Sequence, residues 1–360
     1  VHNDRTYPLF RRFLTQLNVP TRDSDMSFSF HCRQTGLSYC GSSLSGLFAQ
    51  KRNALRPSFL QMIFDIVRFN RRARQALQTG SAAALTLRDY LAAGRYGTAM
   101  VENYLVPMTS AIWSAHPEDM YRFPAEPLLR FMENHGLLQV ANRPRWKTVR
   151  NGNQAYVKAF RSRFRGKILL DTPVQQIRRT EEGVEITDAT GETAGFDCVV
   201  LAAHADQSRR MLADPSPEEC RLLDPWQYRK NRTVLHTDRR FLPKNPRIWS
   251  SWNYSREPRF QERDPVSVTY YMNRLQGIES DQAYCVTLNS TRPIAQGRTI
   301  AEFLYYHPVY TFESLETQKP LSELNGARNT YYCGSYLGYG FHEDAVRSAV
   351  KVGEEFDLEL

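Results

Sequence analysis

The stretch from Thr330 to Val350 constrains the fold more than any other part of this chain, because three backbone requirements follow one another within it. Thr330-Tyr-Tyr-Cys333 suits a buried strand. Gly334, Gly338 and Gly340 then let the backbone turn sharply and approach a ligand closely, and Val346, Ala349, Val350 and Phe356 recur at helical spacing. A strand, a glycine-rich turn and a helix N-terminus in that order leave free helix amides facing the turn. Glycines also serve structural corners, so the turn alone does not fix a ligand.

The charges of the first helical turn narrow the choice. His342 is followed by Glu343 and Asp344, two carboxylates that complement the helix dipole yet would repel a phosphate. The amides suit a neutral polar group or a transiently anionic ring oxygen, which a flavin offers at one carbonyl edge. A second element lies upstream. Pro173-Val-Gln-Gln-Ile177 and Gly183-Val-Glu-Ile186 lead into Asp197-Cys-Val-Val-Leu-Ala-Ala-His-Ala-Asp206, whose continuous apolar core from Cys198 to Ala203 predicts a strand covered on both faces. Ala202 and Ala203 at its end permit close approach by a ligand. An ordinary meander beside a packed strand is the plainer alternative.

The rest of the chain divides by period. A helix is predicted over residues 7–20, short polar strands from Met26 to Tyr39, and a mainly helical block from Arg56 to about Arg165. Strands are expected at Ile168-Leu-Leu170, Val174 to Arg178 and Val184 to Thr187, and again at Thr233 to Thr237, Arg247 to Tyr254, Val266 to Met272 and Tyr284 to Leu288. The last four imply an antiparallel sheet in a second layer. Trp252, Tyr254 and Tyr271 within them, with Asn273 just beyond, are candidates to line an apolar substrate pocket, although such aromatics also serve as core.

Composition excludes several function classes. The 47 Lys and Arg against 38 Asp and Glu give a formal charge of +9, but the basic residues are scattered, so no nucleic-acid role is expected. The richest basic stretch sets Arg68, Arg71, Arg72 and Arg74 on a helix with apolar Phe59, Met62, Ile63, Ile66, Val67 and Phe69. A solvated face packed on the core is the first reading, and a membrane-surface helix the second. Six cysteines without a C-x-x-C pair fit a reduced, cytoplasmic setting. No apolar run approaches the roughly 20 residues needed to span a bilayer. Absence of H-E-x-x-H or paired histidine spacing leaves no expected metal site, and His204 with Asp206 is too local to form a triad.

Taken together, the C-terminal element and the 173–206 segment resemble the flavin-containing amine oxidase superfamily. The similarity is greater still to its bacterial branch of NAD/FAD-binding oxidoreductases. Asn3-Asp-Arg-Thr-Tyr-Pro8, Ser24-Asp-Met-Ser-Phe28, Gly46-Leu-Phe-Ala49, Ala111-Ile-Trp-Ser-Ala115, Asn134-His-Gly-Leu137, Tyr271-Met-Asn-Arg-Leu-Gln276 and Gly334 to Asp344 carry it. The resemblance implies a mixed α/β fold: an FAD-binding Rossmann-like domain interleaved with a helical and antiparallel-sheet substrate domain. On that pattern 1–50, 166–212 and 326–360 belong to the FAD domain or its borders, and 51–165 and 213–325 to the substrate domain. It further implies that the backbone at Val174 holds the adenine. Gly334, Ser335, Gly340, Phe341, His342, Glu343, Asp344 and Ala345 would run along the ribityl chain and flavin ring, with Ala202, Ala203 and His204 beside them. The family's G-x-G-x-x-G unit, expected ahead of Asn3, does not occur in the sequence, so the chain is expected to be a fragment that has lost its diphosphate-binding half.

The implied activity is FAD-dependent hydride removal from a C–H bond of an amine or a lipid-like substrate. No general base is identified. The alternatives are a non-catalytic fragment or binding domain that retains the fold without FAD, and a nicotinamide-dependent dehydrogenase. Expected partners are a small-molecule or lipid substrate and, through the basic helix, a membrane surface.

Overall fold

In a computed structural model, which describes residues 1–139, 143–258, 267–290 and 292–360, the described residues build one large mixed sheet, three small ones and a helical layer. The first helix, α1 (Pro8–Gln16), starts at a proline whose missing N–H costs nothing there, and buries Phe10 and Leu14. Strands β1 (Phe28–Cys32) and β2 (Ser38–Cys40) follow. The helical block contributes α2 (Pro57–Thr79), α3 (Val106–Trp113) and α4 (Ala125–Asn134). Helix α2 begins with Pro57 and stops at Gly80, whose φ of +70° is the left-handed cap that glycine adopts without strain.

Next come β3 (Val174–Arg179), β4 (Val184–Asp188) and β5 (Thr193–Phe196), a separate antiparallel meander, and then the short β6 (Val199–Leu201). Helices α5 (Ala205–Met211) and α6 (Pro217–Leu223) lead to the long β7 (Gln227–His236). Strands β8 (Trp252–Arg256), β9 (Ser267–Tyr271), β10 (Cys285–Leu288) and β11 (Thr299–Val309) complete the large sheet in the order β11-β7-β10-β9-β8-β1-β2. All its pairs are antiparallel except β8 with β1, where Trp252 faces Phe28. Helix α7 (Phe312–Glu323), β12 (Thr330–Tyr332) and α8 (His342–Glu354) end the chain, and β12 lies parallel to β6. The main core runs from the β1 and β8 aromatics through α2, α3 and α4 to β6, β12 and Tyr336.

Four expectations are corrected. The strand at β6 is not covered on both faces: Val199 and Leu201 are buried, but Val200 is 44% exposed. Among the described residues only β12 pairs with it, so a continuous apolar run here reflects one packed face and one open one. Ile168, Leu169 and Leu170 form no strand and lie exposed before β3. Val67 is on the outer side of α2, not among its packed residues Phe59, Met62, Phe69, Ala73 and Ala76. Residues 246–248 form a short 3-10 turn rather than the start of β8. Val266 lies outside the described residues.

Candidate functional site

The site starts where two parallel strands stop side by side. Tyr332 pairs with Leu201, and the Cys333 amide donates to the Leu201 carbonyl at 3.1 Å. Ala202, Ala203 and His204 are thereby brought beside Gly334 and Ser335, with the Ala203 carbonyl 3.6 Å from where a Gly334 Cβ would lie. His204 sits at the start of α5 with its ring stacked on Tyr228, centroids 4.4 Å apart. Val174 is more remote in the topology, exposed at the head of the β3-β4-β5 meander.

The turn after β12 is fastened from three elements. The Ser348 hydroxyl of α8 accepts from the Gly334 amide at 2.9 Å; Gln318 of α7 donates to the carbonyls of Tyr336 and Gly338; and the Trp113 indole of α3 donates to the Tyr339 carbonyl. Two of its glycines are sterically required. A Cβ on Gly338 would lie 2.3 Å from the Asp344 carboxylate, and one on Gly340, whose φ is +92°, would lie 2.7 Å from the Tyr310 hydroxyl.

Both acidic residues at the start of α8 are committed to helix ends. Asp344 accepts from the Phe341 amide at 3.1 Å, capping its own helix, and receives Arg347 at 3.0 Å. Burial raises its pKa, and the Phe341 amide and Arg347 oppose that rise. Glu343 reaches across to α1, where it accepts from the amides of Leu9 at 3.2 Å and Phe10 at 2.9 Å. It therefore acts as the N-terminal cap that α1, beginning at Pro8, has no side chain of its own to supply. His342 packs on Phe10 with ring centroids 4.8 Å apart, and Ala345 follows within the helix.

Phe341 at the head of α8 faces a cavity of about 480 Å³. Phe28, Met108, Ile112, Phe131, Leu137 and Trp252 form its apolar walls, so β1, β8, α3 and α4 all contribute. A second hollow of about 350 Å³ shares Tyr7, His135 and Phe341 with it and extends to Asp344 and Arg347. His135 and the Tyr7 phenol are the polar side chains the two hollows share. The His135 ring stacks on Phe131 at 3.9 Å and Trp146 at 5.9 Å, and Nδ1 lies 2.9 Å from the Phe131 carbonyl. A carbonyl only accepts, so Nδ1 carries the proton and Nε2 is left as an acceptor. Burial pushes the His135 pKa down to about 4, so the ring is neutral at ordinary pH.

Of the four substrate-side candidates, Trp252 lines the cavity, and its indole N–H is buried without a partner among the described residues. The others do not line it. Tyr254 is core, 5.8 Å from Phe30 in a stacked pair, and Tyr271 packs on Trp249 in a separate cluster. Asn273 ties a loop together, donating to the carbonyls of Ser280 and Gln282 and accepting from the Tyr284 amide. Asn273→Ala is therefore expected to lower stability by about 2 kcal/mol in chemical denaturation while leaving any ligand affinity at the cavity unchanged. Sequence reasoning missed roles for Phe131, Ile112, His135 and Gln318. For Ile112 and His135 a signal was present, since Ala111-Ile-Trp-Ser-Ala115 and Asn134-His-Gly-Leu137 hold them.

His2, His236, His307 and His342, like His135, are pushed down to about 4, burial being the main cause in each. All five bind a proton more readily when unfolded. The stability they contribute is full above the ordinary histidine range near pH 6.5 and is lost as pH falls toward about 4. Urea midpoints measured at about pH 7 and about pH 5 are expected to fall with acidification.

The comparisons with known proteins follow this geometry. The family described as flavin containing amine oxidoreductase matches residues 1–355. No curated protein matches the sequence. Among solved structures, a CLA-producing fatty acid isomerase from P. acnes is 14% identical with a TM-score of 0.68, over 99% of this chain and 86% of that one. A putrescine oxidase bound to putrescine is 11% identical with a TM-score of 0.67, over 99% and 86%. Cyclohexylamine oxidase from Brevibacterium oxydans IH-35A is 11% identical with a TM-score of 0.61, over 97% and 86%. At these identities the likeness establishes a shared fold.

Proposed function

The chain belongs to the flavin-containing amine oxidoreductases, and from that premise we propose that it oxidises an elongated, largely apolar substrate held against Phe341, with FAD as the electron acceptor. The single observation that carries this reading is the continuity between the head of α8 and the apolar cavity of about 480 Å³. A cavity of that size lies within the usual range for a small-molecule ligand.

The residues at the turn fit the ring end of a flavin. Gly338 and Gly340 have no room for side chains, Ala202 and Ala203 are small, and the two carboxylates of α8 are already held, Asp344 by the Phe341 amide and Arg347, and Glu343 by the α1 amides, so neither presents an unpaired negative charge to a neutral or weakly anionic edge. A flavin held there would supply a two-electron acceptor for oxidation at carbon. The protein's own part is orientation and exclusion of water. Phe131, stacked on Phe341 at 5.1 Å, and Trp113 hold the wall, while neutral His135 offers an acceptor to a donor group of the substrate.

A lipid-like substrate is favoured over an amine by the charges at the cavity. Asp25, the carboxylate on its lining, is already paired with Arg274 at 2.8 Å, which leaves it poorly suited to hold an ammonium. Arg143 adds positive charge on the same lining, suited to an acyl carboxylate. The fatty acid isomerase of the same fold acts on a substrate of this class. The test is anaerobic incubation of the flavin-loaded protein with fatty acyl lipids and with amines while flavin absorbance is followed. Bleaching by acyl lipids is expected, and bleaching by amines alone would overturn the substrate class. Ile112→Trp, which fills the cavity, is expected to lower kcat/KM by about tenfold or more with flavin retained.

A further inference from the structure

The outer face of α2 carries chemistry that neither the cavity nor the cofactor turn uses. Leu60, Phe64 and Val67 stand at i, i+4 and i+7, so they form one stripe, and all three are exposed, Phe64 to 63%. Just before the helix, Leu55 is 85% exposed at the end of the 3-10 turn Lys51–Leu55. Large apolar side chains gathered this way on a folded surface mark an interaction site.

Along residues 44–78 nearly all the charge has one sign, and from α4 Glu133 faces Arg74 at 3.8 Å. Residues 44–78 contain Lys51, Arg52, Arg56, Arg68, Arg71, Arg72 and Arg74 but a single acid, Asp65, which is buried and bonded to Arg68 at 2.7 Å. Arg68, Arg72 and Arg74 reach the carbonyls of Arg95, Gly94 and Leu138 and so flank the stripe, Arg71 continues it at i+4 from Val67, and in the turn ahead of the helix Lys51 is exposed while Arg52 donates to the Gly36 carbonyl. No described helix is long and apolar enough to cross a membrane, so this surface is suited to lie on a bilayer rather than in it.

We propose that the Leu55, Leu60, Phe64 and Val67 face, with its surrounding lysine and arginines, docks on an anionic lipid surface. Apolar side chains enter the headgroup boundary while the cations meet lipid phosphates, the combination that holds an interfacial helix. The opposite face of α2 is fixed in the core through Phe59, Met62 and Phe69, so the stripe is presented without any rearrangement. The inference does not depend on the proposed oxidation, because its readout is binding alone.

The test is sedimentation of the full chain with vesicles of phosphatidylcholine alone and with vesicles containing about one quarter phosphatidylglycerol. Uptake by the anionic vesicles, weakened by salt, is expected. A Leu60→Ser, Phe64→Ser double variant is expected to bind them about tenfold or more weakly, and a Lys51→Glu, Arg71→Glu variant to lose the preference for anionic lipid. All four positions are exposed, so thermal melts should match the parent. Equal uptake of the Leu60 and Phe64 variant would overturn the proposal. So would failure of the parent to bind anionic vesicles, which would assign the face to a protein partner.

Discussion

Glu219→Ala is expected to cost about 3 to 5 kcal/mol of unfolding free energy, the range for breaking a buried ion pair. Glu219 accepts from both terminal nitrogens of Arg179, at 3.0 and 2.9 Å, from the Tyr332 hydroxyl at 2.6 Å and from the Ser216 amide at 2.7 Å. Arg179 is also tied to the Asp214 carboxylate at 2.9 Å, and its side chain is buried. The cluster joins β3, α6 and β12, so it holds the strand that leads into the glycine turn. Removing the carboxylate leaves a buried guanidinium and a buried phenol without their main acceptor. Glu219→Gln keeps an acceptor but no charge, and its cost is expected to fall between the parent and the alanine variant.

The same cluster has a pH signature. Burial by itself would raise the Glu219 pKa, but the Tyr332 hydroxyl, the Ser216 amide and Arg179 outweigh it and hold the group below its ordinary value. Its contribution is full above the unfolded carboxylate pKa of about 4.3 and is lost as pH falls through the folded value. Urea unfolding of parent and Glu219→Gln across this range should therefore converge on the acid side. The histidine effect acts at higher pH and is common to both proteins.

Gly338→Ala is expected to weaken flavin binding by about 100-fold while the chain stays folded. The added methyl would occupy space 2.3 Å from the Asp344 carboxylate, which must then release the Phe341 amide or displace the turn. Either change moves the first amides of α8 away from the position where Gln318, Ser348 and Trp113 hold the turn. Equilibrium titration with FAD, alongside far-ultraviolet circular dichroism, separates loss of the site from loss of the fold. Asp344→Asn, which retains an acceptor for the Phe341 amide, is expected to lose much less affinity.

The strand, turn and helix from Thr330 onward were legible because each imposes a local backbone demand. What Glu343 does was not, since the amides it caps lie more than 330 residues away in α1. The cavity walls were hidden for another reason: seven of the eight residues of α3 are buried, so the helix shows no polar face to set its register. Edge strand β11 went unread because side chains on both its faces, among them Phe303, Leu304, Tyr305 and Tyr306, are exposed and no alternation arises. The apolar run at β6 was over-read, as burial on one face suffices to keep Val199 and Leu201 apolar. Among the aromatics of the large sheet, sequence could not separate Trp252 from Tyr254 and Tyr271, because the register of β8 against β1 sets Trp252 rather than Tyr254 beside Phe28 at the cavity, and Tyr271 on β9 packs in a separate cluster with Trp249.

The central claim is that the glycine turn and the head of α8 hold a flavin ring beside an apolar cavity. Its most direct test is the visible absorbance spectrum of the purified protein after loading with FAD and removal of free cofactor. The account predicts flavin bands that travel with the protein, bleach anaerobically on addition of an acyl substrate and are strongly reduced in Gly338→Ala. Flavin bands of equal strength in the parent and Gly338→Ala would contradict it.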